Sequence, residues 1–283
     1  MGYKLVAAGV PQGSVLGSIL FGLFISDLPK VLKYYERTKY ADDTEIYLHA
    51  FSDKLDDAIS LIEQDVQTVA DWAVRNGLQL NERKTKAIIL GSMQYIAPIN
   101  LETTRRIKIN GTPIEYISSA KNLGITITDT LNWQPHITSL LGKVYGALNT
   151  LRFHRNALSF RFRIQLVRTL VLPHFDYAAL IYMDVDLTMG QELQIAHNAC
   201  VRFVIGSIPF IPTAEITSHV THSRLKLGWL SLACRTHLQL IAVFYDIQCR
   251  KEPERLFDKI KLPNQLPFTD PSTLTPFLLT SRL

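Results

Sequence analysis

Two adjacent carboxylates, Asp42 and Asp43, follow Tyr40-Ala41 and lead into Thr44-Glu45-Ile46-Tyr47-Leu48, where apolar and polar residues alternate. Alternation at a period of two describes a half-buried strand, so the acids are expected at the tip of a hairpin. Successive strand residues point to opposite faces, so one Asp would be a direct metal ligand and the other would assist it. Two hard cations bridged by such carboxylates would suit phosphoryl transfer, because Mg²⁺ takes a few carboxylates together with substrate phosphate oxygens. The plainer reading is a solvated turn or helix start, as for Asp56-Asp57 in the same chain.

The flanking segments decide what such a hairpin could belong to. Ahead of it, the stretch from Ala8 to Gly17 gathers three Gly and one Pro directly before an apolar helical run, Ile19 to Leu28. A loop opening a helix lets backbone N–H groups approach a phosphate or a nucleotide; it is equally an ordinary Gly/Pro turn with Ser14 as the helix cap. Behind it, Leu55, Ile59, Ile62, Val66, Val69 and Ala73 recur at helical spacing, with Ser52 or Asp53 to cap the start and Asn76-Gly77 to end it. This predicts a helix packed under a sheet. Leu78 to Asn81 and Thr85 to Leu90 flank a polar turn at Glu82-Arg83-Lys84 and read as a further hairpin. Short strands are expected over Arg105 to Asn110, Thr112 to Tyr116 and Leu123 to Thr128. Beyond Asp129 the period turns helical: Ile137 to Leu151, then Ile164 to Leu170 stopped at Pro173, then Leu193 to Phe203 stopped at Gly206, then about Leu230 to Ile247.

The 283 residues are 47% hydrophobic and 19% charged, enough for one large core or two modest ones. The net charge of +5 is confined to one place: five Arg and no acid lie between Arg152 and Arg168, interleaved with Phe153, Phe160 and Phe162. Either these arginines hold nucleic-acid phosphates, or they form the solvated face of a helix whose Phe side chains lie in the core. Cys200, Cys234 and Cys249 are far apart in apolar helical patterns and read as buried free thiols, not as a disulfide framework or a zinc site. His219 and His222 read as polar loop residues with no Cys pair near them. The start does not match a secretory signal, and Ile164 to Met183 is broken by Arg168, Pro173, His174 and Asp176, so no membrane span is expected.

The motifs taken together resemble the palm of reverse transcriptases of non-LTR retrotransposons, particularly insect elements of the jockey type. The resemblance rests on Gly9-Val10-Pro11-Gln12-Gly13-Ser14, Leu20-Phe21, Ser26-Asp27-Leu28-Pro29 and Tyr40-Ala41-Asp42-Asp43-Thr44. It continues through Trp72, Asn76-Gly77-Leu78, Leu80-Asn81, Lys84-Thr85 and Asn122-Leu123-Gly124, and then through Trp133 with His136-Ile137, Leu170 to Tyr177 and Leu227 to Leu230. It implies an α+β fold: a partial palm of antiparallel strands with helices over residues 1–128, followed by an all-helical thumb and C-terminal extension over 129–283.

The resemblance also implies roles. Asp42 would be the metal ligand and Asp43 its partner, with two Mg²⁺ ions in the intact enzyme. Gly9, Pro11, Gln12, Gly13 and Ser14 would lie beneath template and incoming nucleotide, with Gln12 near the template base. Tyr40 would lie under the primer end, and Leu123 and Gly124 would form a primer-grip hairpin, unless they belong to a plain buried strand with a Gly bulge. Lys84 would protonate departing pyrophosphate, with Lys86 as the alternative; a solvated hairpin lysine is the competing reading. Arg152, Arg155, Arg161, Arg163 and Arg168 would hold the backbone of a template–primer duplex. Ser18 stands where the family usually has Pro. The implied partners are an RNA template, a DNA primer and deoxynucleoside triphosphates, in the nucleus or cytoplasm, with no targeting run visible.

In this family another Asp-bearing strand and the basic fingers precede the Gly9–Ser14 loop, whereas here eight residues do, none of them acidic. The expectation is therefore a truncated product, inactive alone, whose 40–47 hairpin presents an unpaired edge. The alternative function is an inactive remnant that binds nucleic acid through residues 152–168 or has only a structural role. A different two-metal nuclease leaves the Gly9–Ser14 loop without a use.

Overall fold

A computed structural model describes residues 13–31, 36–40, 43–206, 213–253, 256–257 and 273–280. They divide into two compact units, residues 1–132 with 268–283, and residues 133–267. The Gly9, Pro11, Gln12 and Asp42 positions lie outside the described residues, as do the side chains of Tyr40 and His219.

The first unit runs α1 (Gly17–Phe24), β1 (Glu36–Tyr40), β2 (Asp43–Tyr47), β3 (Ala50–Phe51), α2 (Leu55–Arg75), β4 (Lys86–Leu90), α3 (Met93–Ile96), β5 (Lys108–Ile109), β6 (Thr112–Pro113), β7 (Glu115–Tyr116), β8 (Ser119–Asn122) and β9 (Ile125–Thr128). The helical period of α2 has its expected result: Ile59, Ile62, Val66, Val69 and Ala73 are all buried, against Ile46 of β2 and Ala87 of β4 among others. Each fully buried Ile or Val there contributes roughly 1.5–3 kcal/mol, which is what holds the helix under the sheet. Asn76 and Gly77 end α2 as expected, Gly77 with φ +68°. At its start, however, Lys54 occupies the cap position without a side-chain bond, because a 3-10 turn over Ser52–Lys54 precedes it. Ser14 does not cap α1 either; the helix starts after Leu16, and Ser14 contributes its carbonyl to the turn.

The main sheet has the order β1-β2-β10-β4-β7, where β10 (Thr273–Thr280) comes from the far end of the chain. β10 is antiparallel to both β2 and β4, so these two are parallel and α2 forms the crossover between them. This corrects three expectations. The 40–47 hairpin has no unpaired edge at β2, because β10 pairs with it. Residues 273–280 are a strand, so the region after 129 is not all helical. Leu78–Asn81 does not form a strand with Thr85–Leu90, because β4 takes β10 and β7 as its partners.

The second unit comprises α4 (Gln134–Phe153), α5 (Phe160–Leu166), α6 (Leu172–Asp176), α7 (Leu187–Ile205), α8 (Thr213–Lys226) and α9 (Leu232–Arg250). Its core joins Ile137, Leu140, Val144 and Leu148 of α4 to Val167, Val171 and the buried face of α7, including Cys200 and Val204. Pro173 does not stop the helix before it: a π-helical turn over Val167–Val171 leads straight into α6, whose first turn tolerates a residue without an N–H. Gly206 ends α7 with φ +113°. His222 lies exposed on α8, not in a loop. Only Cys200 is buried; Cys234 and Cys249 are exposed because α9 buries little beyond Ile247. No helix among the described residues is long and apolar enough to cross a membrane.

Candidate active site

The pairing of Tyr40 with Asp43 makes Asp43 the first residue of β2. From there the two-residue period sends Thr44 and Ile46 toward α2, where both are buried, and sets Asp43 and Glu45 on the opposite face. That face borders a cavity of about 220 Å³. Its walls bring together Asp43 and Glu45 from β2, Lys84 from the turn before β4, Lys86 from the first position of β4, and Lys121, Asn122 and Leu123 from the β8–β9 hairpin. Four residues singled out from the sequence, Asp43, Lys84, its alternative Lys86, and Leu123, thus share one cavity although they come from three separate segments of the chain.

Glu45 is the member that motif reading missed. Only 8% of it is exposed. Burial pushes its carboxyl pKa up, a hydrogen bond with the Asn122 side chain pulls the other way, and the charge of Asp43 raises it further. The available signal was its spacing: two residues after Asp43 on a strand is the same face.

Across the sheet, Glu45 lies in register with Leu279 of β10, Leu279 with Lys86, and Lys86 with Glu115 of β7. The Lys86 ammonium forms an ion pair with Glu115, which holds the Glu115 carboxyl below its usual range. The wall opposite is shaped by a two-residue turn, Leu123-Gly124, joining β8 to β9, so these residues are not a bulge in one buried strand. Both have positive φ, 43° and 87°. Such a turn matches the twist of a hairpin, but a leucine in the left-handed region costs roughly 1–2 kcal/mol, which the paired strands offset.

Among the described residues, no three His, Cys, Asp or Glu side chains gather as metal ligands. Asp43 and Glu45 offer hard carboxylate oxygens side by side, the donor type that Mg²⁺ accepts when phosphate oxygens and water complete its shell. Asp27, ahead of this hairpin, accepts a bond from Trp72 Nε1 at 3.3 Å and ties α2 to the preceding turn. Gly13 (φ +84°) and Ser14 lie in the turn before α1 and do not line the cavity. Arg152, Arg155, Arg161, Arg163 and Arg168 all belong to the second unit. The phenylalanines among them are exposed, not in the core.

Residues 2–127 match the family model described as reverse transcriptase (RNA-dependent DNA polymerase). The chain is 27% identical over 211 residues to the probable RNA-directed DNA polymerase from transposon BS of Drosophila melanogaster, which covers 71% of this chain and 22% of that protein. It is 26% identical over 223 residues to the RNA-directed DNA polymerase from mobile element jockey of Drosophila funebris, covering 75% and 23%. With the retrovirus-related Pol polyprotein from type-1 retrotransposable element R1 of Bradysia coprophila it shares 29% identity over 153 residues, 53% of this chain and 14% of that protein. The chain thus spans less than a quarter of the length of these relatives. No solved structure matches it.

Proposed function

We propose, on the premise that residues 2–127 belong to the reverse transcriptase family of non-LTR retrotransposons, that the chain carries part of the polymerising site of an RNA-directed DNA polymerase. The reaction is attack of a primer 3′-oxygen on the α-phosphate of a deoxynucleoside triphosphate, with release of pyrophosphate. Its substrates would be an RNA template, a DNA primer and the four triphosphates. The observation that carries this reading is the cavity uniting Asp43 and Glu45 with Lys84, Lys86 and Leu123.

In this reading the first unit is the palm and the second includes the thumb. Asp43 and Asp42 would hold Mg²⁺, and Glu45, on the same strand face as Asp43, would offer a further carboxylate. The ion, when bound, neutralises charge on the phosphoryl oxygens. Lys84 donates a proton toward departing pyrophosphate, with Lys86, which pairs with Glu115, as the alternative. Leu123 and Gly124 support the primer end from the hairpin tip. Tyr40 lies beneath that end, and the Gly9, Pro11, Gln12, Gly13 and Ser14 loop lies beneath template and nucleotide.

A second reading, a nucleic-acid-binding chain without catalysis, is favoured by one observation. The strand between β2 and β4 carries no acid, and it places Leu279 in register between Glu45 and Lys86. Mg²⁺-dependent primer extension on an RNA template by the purified chain separates the two. Extension that is lost in Asp42→Ala and Asp43→Ala, and slowed roughly 10²–10⁴-fold in Lys84→Ala, supports the polymerase. A folded chain that binds RNA and extends nothing supports the second reading.

A further inference from the structure

One side of α9 packs on the rest of the second unit. Leu232 donates its N–H to Gln194 Oε1 of α7 at 3.2 Å, Arg235 pairs with Asp176 of α6, and Ile247 is buried near the far end. Starting from Cys234, the helical period sets Leu238, Ile241, Tyr245 and Cys249 at i+4, i+7, i+11 and i+15, one row on the other side of the helix. All five are exposed, Leu238 by 52%, Ile241 by 62% and Tyr245 by 69%, with Phe244 beside them at 49%. Single exposed apolar side chains are ordinary, but a continuous row along about four turns of one helix is the form that helix-to-helix contacts take.

The row is close to its own reverse. Counted inward from the two ends, Cys234 answers Cys249 and Leu238 answers Tyr245, with Ile241 and Ala242 at the midpoint. A two-fold axis crossing the helix there lays a second α9 antiparallel on the first, and the same patch then serves both copies, as an isologous contact requires. The charges favour that orientation. Arg235 and Asp246 lie on the same flank of the row, near opposite ends of the helix. The axis keeps flanks together and reverses ends, so Arg235 of one copy comes level with Asp246 of the other. Asp246 is bonded to Arg250 at 2.7 Å and still has 56% of its side chain exposed. A parallel pair would instead set Arg235 level with Arg235 and Asp246 level with Asp246.

We propose that this face of α9 is where two copies of the chain associate, as an antiparallel helix pair centred at Ile241 and Ala242. With 19 residues, about 28 Å of helix, the contact falls short of the ~800 Å² per partner of a standard interface, so the pair is a weak one that depends on concentration. The surface uses none of Asp43, Lys84 or Leu123, so the pairing does not rest on the polymerase reading.

Sedimentation velocity of the full chain, with reductant present, tests it. The wild type is expected to pass from monomer to dimer over roughly 1–100 µM. Ile241→Lys and Ile241→Glu should each associate roughly tenfold more weakly or worse, because the axis sets each new charge beside its own copy; mixed, the two should recover much of the wild-type dimer. Position 241 is exposed, so both variants should keep the wild-type circular dichroism and melting temperature. A short bis-maleimide then reads the orientation. Cys200 is buried, which leaves Cys234 and Cys249 as the accessible thiols. Along one helix these two are about 22 Å apart, too far for a short linker to join within a copy. Linked dimers are expected from the wild type and should be lost in Cys234→Ser and Cys249→Ser alike. A wild type that stays monomeric to about 100 µM would overturn the proposal and leave the face to a different protein. So would wild-type association by Ile241→Lys, a Lys/Glu mixture that stays monomeric, or linked dimers from Cys249→Ser, which would join Cys234 to Cys234.

Discussion

His197 is sealed in the core of the second unit, with no exposed surface. Its ring meets Phe175 edge-on at 5.9 Å between centroids and lies tilted against Trp229 at 6.1 Å. Neither ring nitrogen has a hydrogen-bond partner among the described residues. Burial, and then the positive charges of Arg235 and Arg224, push its pKa down from the ordinary value of 6.5 to about 4. The folded state therefore holds the neutral ring, while the unfolded chain takes up a proton as pH falls below 6.5. Across that interval of about 2.5 units, at about 1.36 kcal/mol per unit, folding loses roughly 3 kcal/mol, and the loss levels off once the folded state also protonates. That is a large part of the stability of an ordinary domain. Urea unfolding followed by tryptophan fluorescence, at pH values from about 7.5 to about 4, should show it when wild type is compared with His197→Leu and His197→Phe. Asp176, which pairs with Arg235, is present in all three proteins, so that ion pair is common to the comparison. Wild type is expected to lose roughly 3 kcal/mol more than either variant on acidification. Parallel pH profiles would refute the reasoning, and would mean that the ring has a partner able to stabilise its charge.

Two further outcomes test the first unit. Deleting residues 268–283 removes the ladders that β10 makes with β2, β3 and β4; amides of segments 43–47 and 86–90 should then exchange by local opening rather than with global unfolding. Unchanged exchange in the truncated chain would show that these strands do not depend on β10. Glu45 is a carboxyl whose pKa is raised by burial, so its ionised form destabilises the fold at neutral pH and protonation relieves that on acidification. Glu45→Gln should therefore raise the melting temperature near pH 7 and lose that advantage near pH 4; a difference that does not vary with pH would count against a buried, ionised Glu45.

What the sequence determined by itself was local. The 3.6-residue period of Leu55 to Ala73 specifies α2 and its buried face, because side chains on one helix see the same neighbours whatever lies beyond them. The alternation after Asp43 likewise specifies a strand with Asp43 and Glu45 on one side. Motifs in fixed order carried the resemblance to reverse transcriptases, and residues 2–127 match that family's model. Which face of β2 would border a cavity was not written locally; that depended on where the β8–β9 hairpin and Lys84 came to lie. Burial of the helix faces was decided the same way: α9 has an apolar period yet leaves Cys234 and Cys249 exposed, and α5 turns Phe160 and Phe162 outward. Strand pairing was the least legible of all. Thr85–Leu90 was expected beside Leu78–Asn81, and the strand that forms there, β4, instead takes β10 and β7. Backbone N–H and C=O groups are the same at every non-proline residue, so a strand's own residues do not name its partner; register and order are settled only when all the apolar faces are buried together.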